Sequence, residues 1–154
     1  MKAAFAAIAL MVVAGQATAL SCMRPDAVRT FERVSEDTDT FYLLYGTLDF
    51  DATKQPKGVV NEERDRDPIA AQFAGFALNT VGFTTPYSNA VTLQPVCFGP
   101  WCGNTTPSVQ SLFFAHVDDD AITIEVEPCG GRIFPEPSRS LLDAMTACMN
   151  GTCP

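Results

Sequence analysis

Polar and apolar positions alternate most cleanly in Ala121–Glu127 (AITIEVE), where Ile122, Ile124 and Val126 interleave with Thr123, Glu125 and Glu127. A period of two buries one face and wets the other, so the segment predicts a strand. Val109–Val117 (VQSLFFAHV) precedes it across Asp118-Asp119-Asp120, and the pair predicts a hairpin with a charged turn. Thr40–Phe50 (TFYLLYGTLDF) is aromatic-rich and predicts a strand bulged or bent at Gly46. Ile69–Leu78 (IAAQFAGFAL) and Ala90–Val96 (AVTLQPV) predict two more strands, bracketed by the turn residues Gly82-Phe83-Thr84-Thr85-Pro86.

Helical spacing appears twice. Pro25 sits at a first turn, and Ala27, Thr30, Phe31 and Val34 follow on one face. Pro137-Ser138 opens a second helix with Leu141, Leu142, Met145 and Cys148 on one face, and Asn150-Gly151 stops it. The run Asp51–Pro68 has no apolar period and predicts a long solvated loop carrying the mixed-sign run Glu62-Glu63-Arg64-Asp65-Arg66-Asp67. The outline is helix, five strands, helix: a mainly β fold without an internal repeat.

The opening residues, MKAAFAAIALMVVAGQATA, have the pattern of an export signal: Lys2, the apolar run Ala3–Ala14, then Ala17-Thr18-Ala19 as the cleavage site. The apolar run is about a dozen residues, against the roughly 20 that a membrane-spanning helix needs. Cleavage after Ala19 divides the chain into a signal peptide, 1–19, and one domain, 20–154. A second reading makes Leu20-Ser21-Cys22 a lipoprotein signal with Cys22 acylated. Ala19 stands where such signals prefer a large aliphatic, so a lipid anchor at Cys22 is disfavoured.

The 154 residues carry 10 basic and 18 acidic side chains, a net charge of −8. That balance repels phosphate backbones and anionic membranes, which argues against nucleic-acid and lipid-surface binding. Basic protein partners and cations stay open.

All six cysteines, Cys22, Cys97, Cys102, Cys129, Cys148 and Cys153, lie in the mature part. An even number in an exported chain reads as a disulfide set, of which six cysteines allow 15 pairings. Cys97 and Cys102 flank Phe98-Gly99-Pro100-Trp101, a turn that reverses the chain. Cys148 and Cys153 flank the helix stop, which leaves Cys22 for Cys129. Redox catalysis needs two thiols with two residues between them at a helix N-terminus. Here four intervene, and Asn104-Thr105-Thr106-Pro107 is not helical in pattern. Zinc-type cysteine pairs are absent and His116 is the one histidine, so neither metal nor cofactor is expected.

Several elements together resemble the netrin-like module of tissue inhibitors of metalloproteinases and their bacterial relatives. They are Cys22 ahead of a short helix, Cys102-Gly103 ahead of SLFFAHVDDD, the strand ITIEVEPCGGRIF running into a cysteine, and a C-terminal helix carrying Cys148. The match covers most of residues 21–149. It implies a five-stranded, partly open OB-type barrel with short N-terminal and C-terminal helices. Tying Cys22 to Cys129 resembles one linkage of that family. The family's inhibitors begin at a cysteine with another two positions on, and chelate the protease's zinc through the first cysteine's amino group and carbonyl. Leu20-Ser21 precede Cys22 here and Arg24 holds the second position, so that element is missing.

No catalytic constellation stands out. His116 reads as a barrel histidine sharing a face with Leu112 and Phe114, and no nucleophile is set beside it. Asp118-Asp119-Asp120 lacks a calcium-loop pattern. Asn104-Thr105-Thr106 and Asn150-Gly151-Thr152 match the N-glycosylation triplet, idle in a bacterial chain. Trp101 and Phe98, in the stapled loop, are the expected contacts for a protein partner, with Trp101 folding back as a lid over the barrel end as the alternative. The expectation is an exported, periplasmic or secreted, non-enzymatic binding or structural module. A periplasmic hydrolase, a thiol–disulfide enzyme and a protease-inhibitor-like protein are the rivals.

Overall fold

The computed structural model describes residues 21–57 and 66–154. The signal segment 1–19, Leu20 and the Glu62–Asp65 part of the charged run lie outside the described residues. In chain order the elements are α1 (Ala27–Glu36), β1 (Thr40–Phe50), a 3₁₀ turn (Ala52–Lys54), β2 (Ile69–Asn79), β3 (Gly82–Pro95), β4 (Cys97–Phe98), β5 (Trp101–Cys102), β6 (Ser111–Asp118), β7 (Ala121–Val126), β8 (Ile133–Pro135) and α2 (Arg139–Met149).

Capping sets the helix ends. Asp26 accepts from the N–H groups of Val28 and Arg29 at 2.9 and 3.3 Å, satisfying two donors that α1 leaves free. Ser138 does the same for Leu141 at the start of α2. That helix ends at Asn150, followed by Gly151 at φ +77°, a left-handed position suited to glycine.

The five long strands close into a ring. Antiparallel pairing links β1 to β2, β2 to β3, and β7 to β6, while β3 and β7 run parallel from Thr92↔Thr123 to Pro95↔Val126. The ring shuts where β6 returns to β1, from Thr40↔Val117 to Gly46↔Ser111. The short β8 adds to β6 outside the ring, and β4 and β5 form a separate two-stranded hairpin. The fold is thus mainly β, with two helices and three disulfides, as the hydrophobic pattern predicts.

Two apolar clusters result. Leu44, Leu48, Phe73, Leu93, Phe113 and Ile124 fill the ring. Leu43, Leu112, Phe114 and Met145, with Ala27, Val34 and Cys148, form a second cluster that includes both helices. β6 serves both, which is why Leu112, Phe113, Phe114 and Ala115 are all buried and the segment reads as a continuous apolar run.

One expected boundary is corrected. Gly82–Pro86, read as a turn, is the first part of β3, and the hairpin turns at Thr80-Val81. Asn79 fixes that turn: its amide nitrogen donates to the hydroxyls of Thr84 and Thr85, and its carbonyl accepts from Val81 N–H at 2.8 Å. Pro86 is compatible with the strand because β3 pairs with β7 only from Thr92 onward, leaving the Pro86 stretch as an edge.

Candidate functional site

The segment Ser21–Asp26 is exposed and belongs to neither helix nor strand. It is pinned at Cys22, whose disulfide to Cys129 brings the two Cα atoms to 5.3 Å. Cys129 lies in the turn between β7 and β8. Gly130 of that turn abuts Pro25: a Cβ there would stand 3.0 Å from Pro25 Cγ. The N-terminal segment and α1 on one side, and the Cys129–Arg132 turn on the other, enclose a cleft of about 840 Å³. That is within the range of small-ligand sites, roughly 300–1,000 Å³.

Its charge is opposite to that of the chain. Arg24, Arg29, Arg33 and Arg132 line the cleft, four of the ten basic residues in a sequence of net charge −8. The local acids are Asp26 and Glu127. Helix geometry explains part of this convergence. Arg29 and Arg33 are four apart, so they share one exposed face of α1, beside the buried stripe of Ala27, Thr30 and Val34. Asp26 is already engaged as the helix cap.

Arg132 is the most enclosed of the four, its side chain 18 % exposed. Nε donates to Glu125 Oε2 at 3.4 Å, and the guanidinium lies 5.0 Å from the centroid of the Phe41 ring. A cation over an aromatic face is stabilised by the ring quadrupole. Nη1 is buried and has no hydrogen-bond partner among the described residues. Burial pushes the Glu127 carboxyl above its usual value, and the negative charge of Glu125 adds to the effect; Arg132 and Arg33 pull it the other way. A second groove of about 400 Å³ shares Arg132, Glu127 and Cys129 with the cleft and is continued by Asn104, Thr105 and Ser111.

The other sequence-predicted residues fall elsewhere. Cys97 and Cys102 are joined across the β4–β5 hairpin, and Cys148 and Cys153 across the end of α2; no described cysteine is free. Phe98 and Trp101 face each other in the β4–β5 register, Phe98 49 % exposed and Trp101 half-buried. His116 shares a face of β6 with Leu112 and Phe114, as expected, and that face is the outward one. The His116 Nε2 pairs with Asp39 at 3.3 Å, and the ring packs on Phe41. Asp118–Asp120 sit at the β6–β7 turn, with Asp119 left-handed at φ +50°. Asn104 and Asn150 use their side-chain amides internally, on the carbonyls of Cys102 and of Thr80 and Thr146. Among the described residues no three His, Cys, Asp or Glu side chains are grouped to hold a metal ion. None of the described helices is long and apolar enough to cross a membrane.

Sequence reasoning missed the arginine cleft. The local signal was the Arg29-x₃-Arg33 spacing beside Arg24, but Arg132 joins them only through the fold and the Cys22–Cys129 bond. The arrangement offers guanidinium donors and an apolar wall, and so suits ligand capture. No protein-family model, curated protein or solved structure matches this chain.

Proposed function

We propose that this protein is an exported, non-enzymatic binding module, periplasmic or secreted, whose ligand occupies the cleft between the N-terminal segment and the Cys129–Arg132 turn. The observation that carries this reading is the gathering of Arg24, Arg29, Arg33 and Arg132 in one cleft of an acidic chain. Assembling like charges costs Coulomb energy that a purely structural surface does not recover, whereas a bound partner does. Three disulfides support an oxidising compartment. The five-strand ring, with Cys22 tied to Cys129, supports the netrin-like resemblance at the level of fold.

A retention experiment tests this. Oxidised protein is incubated with periplasmic extract, separated by size, and the molecules retained are identified by mass spectrometry. The expected result is a compound held by the wild type and released by the double charge reversal Arg29→Glu/Arg33→Glu. Equal retention by both proteins, or none by the wild type, overturns the assignment to the cleft. Consumption of the retained compound into a product, abolished by His116→Ala, replaces it with an enzyme.

A further inference from the structure

Resting on that reading, we propose that the cleft takes an elongated anion bearing at least two oxyanion groups, carboxylate or phosphate, held by the guanidinium groups of Arg24, Arg29, Arg33 and Arg132. Three observations carry the inference. All four cationic groups at the cleft are arginines, while Lys54 and Lys57 lie outside it. The planar guanidinium fork matches an oxyanion edge with two parallel hydrogen bonds, which an ammonium cannot do. The arginines come from three different places: Arg24 from the N-terminal segment, Arg29 and Arg33 from α1, Arg132 from the turn before β8. Groups so distributed grip two ends of a ligand better than one spherical ion. The volume, about 840 Å³, likewise suits a molecule larger than a single inorganic ion.

Local electrostatics agree. Three acids face the cleft's four positive side chains: Asp26, which is occupied by the α1 amides and lies 4.0 Å from Arg29, Glu127, and Glu125, which is paired with Arg132 at 3.4 Å. Burial and the charge of Glu125 raise the Glu127 carboxyl, while Arg132 and Arg33 act on it in the opposite direction, which places both arginines close to it. The acidic remainder of the surface repels anions elsewhere, so the cleft concentrates what the rest of the molecule rejects.

The experiment is an NMR titration of ¹⁵N-labelled, oxidised protein with succinate, citrate and pyrophosphate, against sodium chloride at matched ionic strength. Succinamide serves as the neutral analogue. The expected result is saturable movement of the Arg Nε–H signals and of the amides around Cys129–Arg132, with a multivalent anion bound about tenfold or more tighter than chloride. Arg29→Gln/Arg33→Gln, on the exposed face of α1, is expected to weaken that binding about tenfold or more without moving the melting temperature by more than a degree or so. Saturation by the carboxylates alone identifies a carboxylate ligand, and by pyrophosphate alone a phosphate ligand. Both support the inference. Binding no tighter than chloride, or unchanged in the double variant, overturns it. Succinamide binding in preference to succinate also overturns it while leaving the cleft as a binding site.

Discussion

Gly46 and Gly75 are direct partners in the β1–β2 ladder, and the end of the Phe73 ring fills the space their side chains would need. A Cβ on Gly46 would also collide with the carbonyl oxygen of Ala74 and the Cα of Gly75. Backbone atoms in a paired strand do not yield as a flexible side chain does. Phe73 is 1 % exposed and cannot swing out of the ring without uncovering its centre. Gly46→Ala is therefore expected to cost about 2 kcal/mol or more, at the upper end of overpacking effects. Urea denaturation measures it. A loss below about 0.5 kcal/mol would show that Phe73 repacks freely.

The three disulfides are expected to contribute unequally. Cys22–Cys129 closes a separation of 107 residues, whereas the other two each close one of 5. Chain entropy assigns nearly 5 kcal/mol to the long loop and about 2 kcal/mol to each short one. Cys22→Ser/Cys129→Ser should accordingly lower stability more than Cys97→Ser/Cys102→Ser or Cys148→Ser/Cys153→Ser, measured by denaturant midpoints at constant m. Equal losses from the long and short pairs would defeat the entropic ranking.

Trp101 is the one tryptophan and stands opposite Phe98, one step inside the Cys97–Cys102 staple. Its fluorescence reports on the β4–β5 hairpin alone. In the native protein it is half-buried, so opening that staple by Cys97→Ser/Cys102→Ser is expected to shift emission to longer wavelength as water reaches the indole. The ring of strands should persist in the far-ultraviolet circular dichroism spectrum. An unchanged emission maximum would mean that the two-residue strands hold the indole without the covalent bond.

Much of the fold was legible because its strands are amphipathic or doubly buried. Ile122, Ile124 and Val126 alternate with wetter neighbours as a one-sided strand should, whereas Gly46, read as a bulge or bend, pairs with Gly75 in unbroken register and marks instead a close approach of two backbones. The start of β3 was misread because Gly82 and Pro86 are turn formers in isolation. What overrides them is the Asn79 side chain, a local hydrogen-bond network that propensity does not report. The sequence placed His116 on one face with Leu112 and Phe114 but did not tell which side that face takes, because β6 is buried on both faces and such burial erases the period that distinguishes in from out. The cleft was less legible still. Arg132 is separated by about a hundred residues from Arg24, Arg29 and Arg33 in the sequence, and their meeting depends on the Cys22–Cys129 cross-link rather than on any local pattern.

Glu127 provides a pH-dependent test of the cleft's electrostatics. It is partly buried, and its carboxyl is raised above the ordinary value by burial first and by Glu125 second. The charged groups acting on it are Glu125 on β7, Arg132 on the following turn and Arg33 on α1. A raised carboxyl means that the folded state keeps its proton to higher pH than the unfolded state. Between the usual glutamate value and the raised one, the folded form binds more protons, so stability falls as pH climbs through that window. The stabilisation is complete below the window and lost above it. Glu127→Gln removes both the titration and the charge. The variant should therefore be more stable than wild type at pH 7, with the difference shrinking toward pH 4 and below. Thermal melts of both proteins across that range check it. Parallel curves at every pH would mean that Glu127 is as well solvated in the folded chain as in the unfolded one.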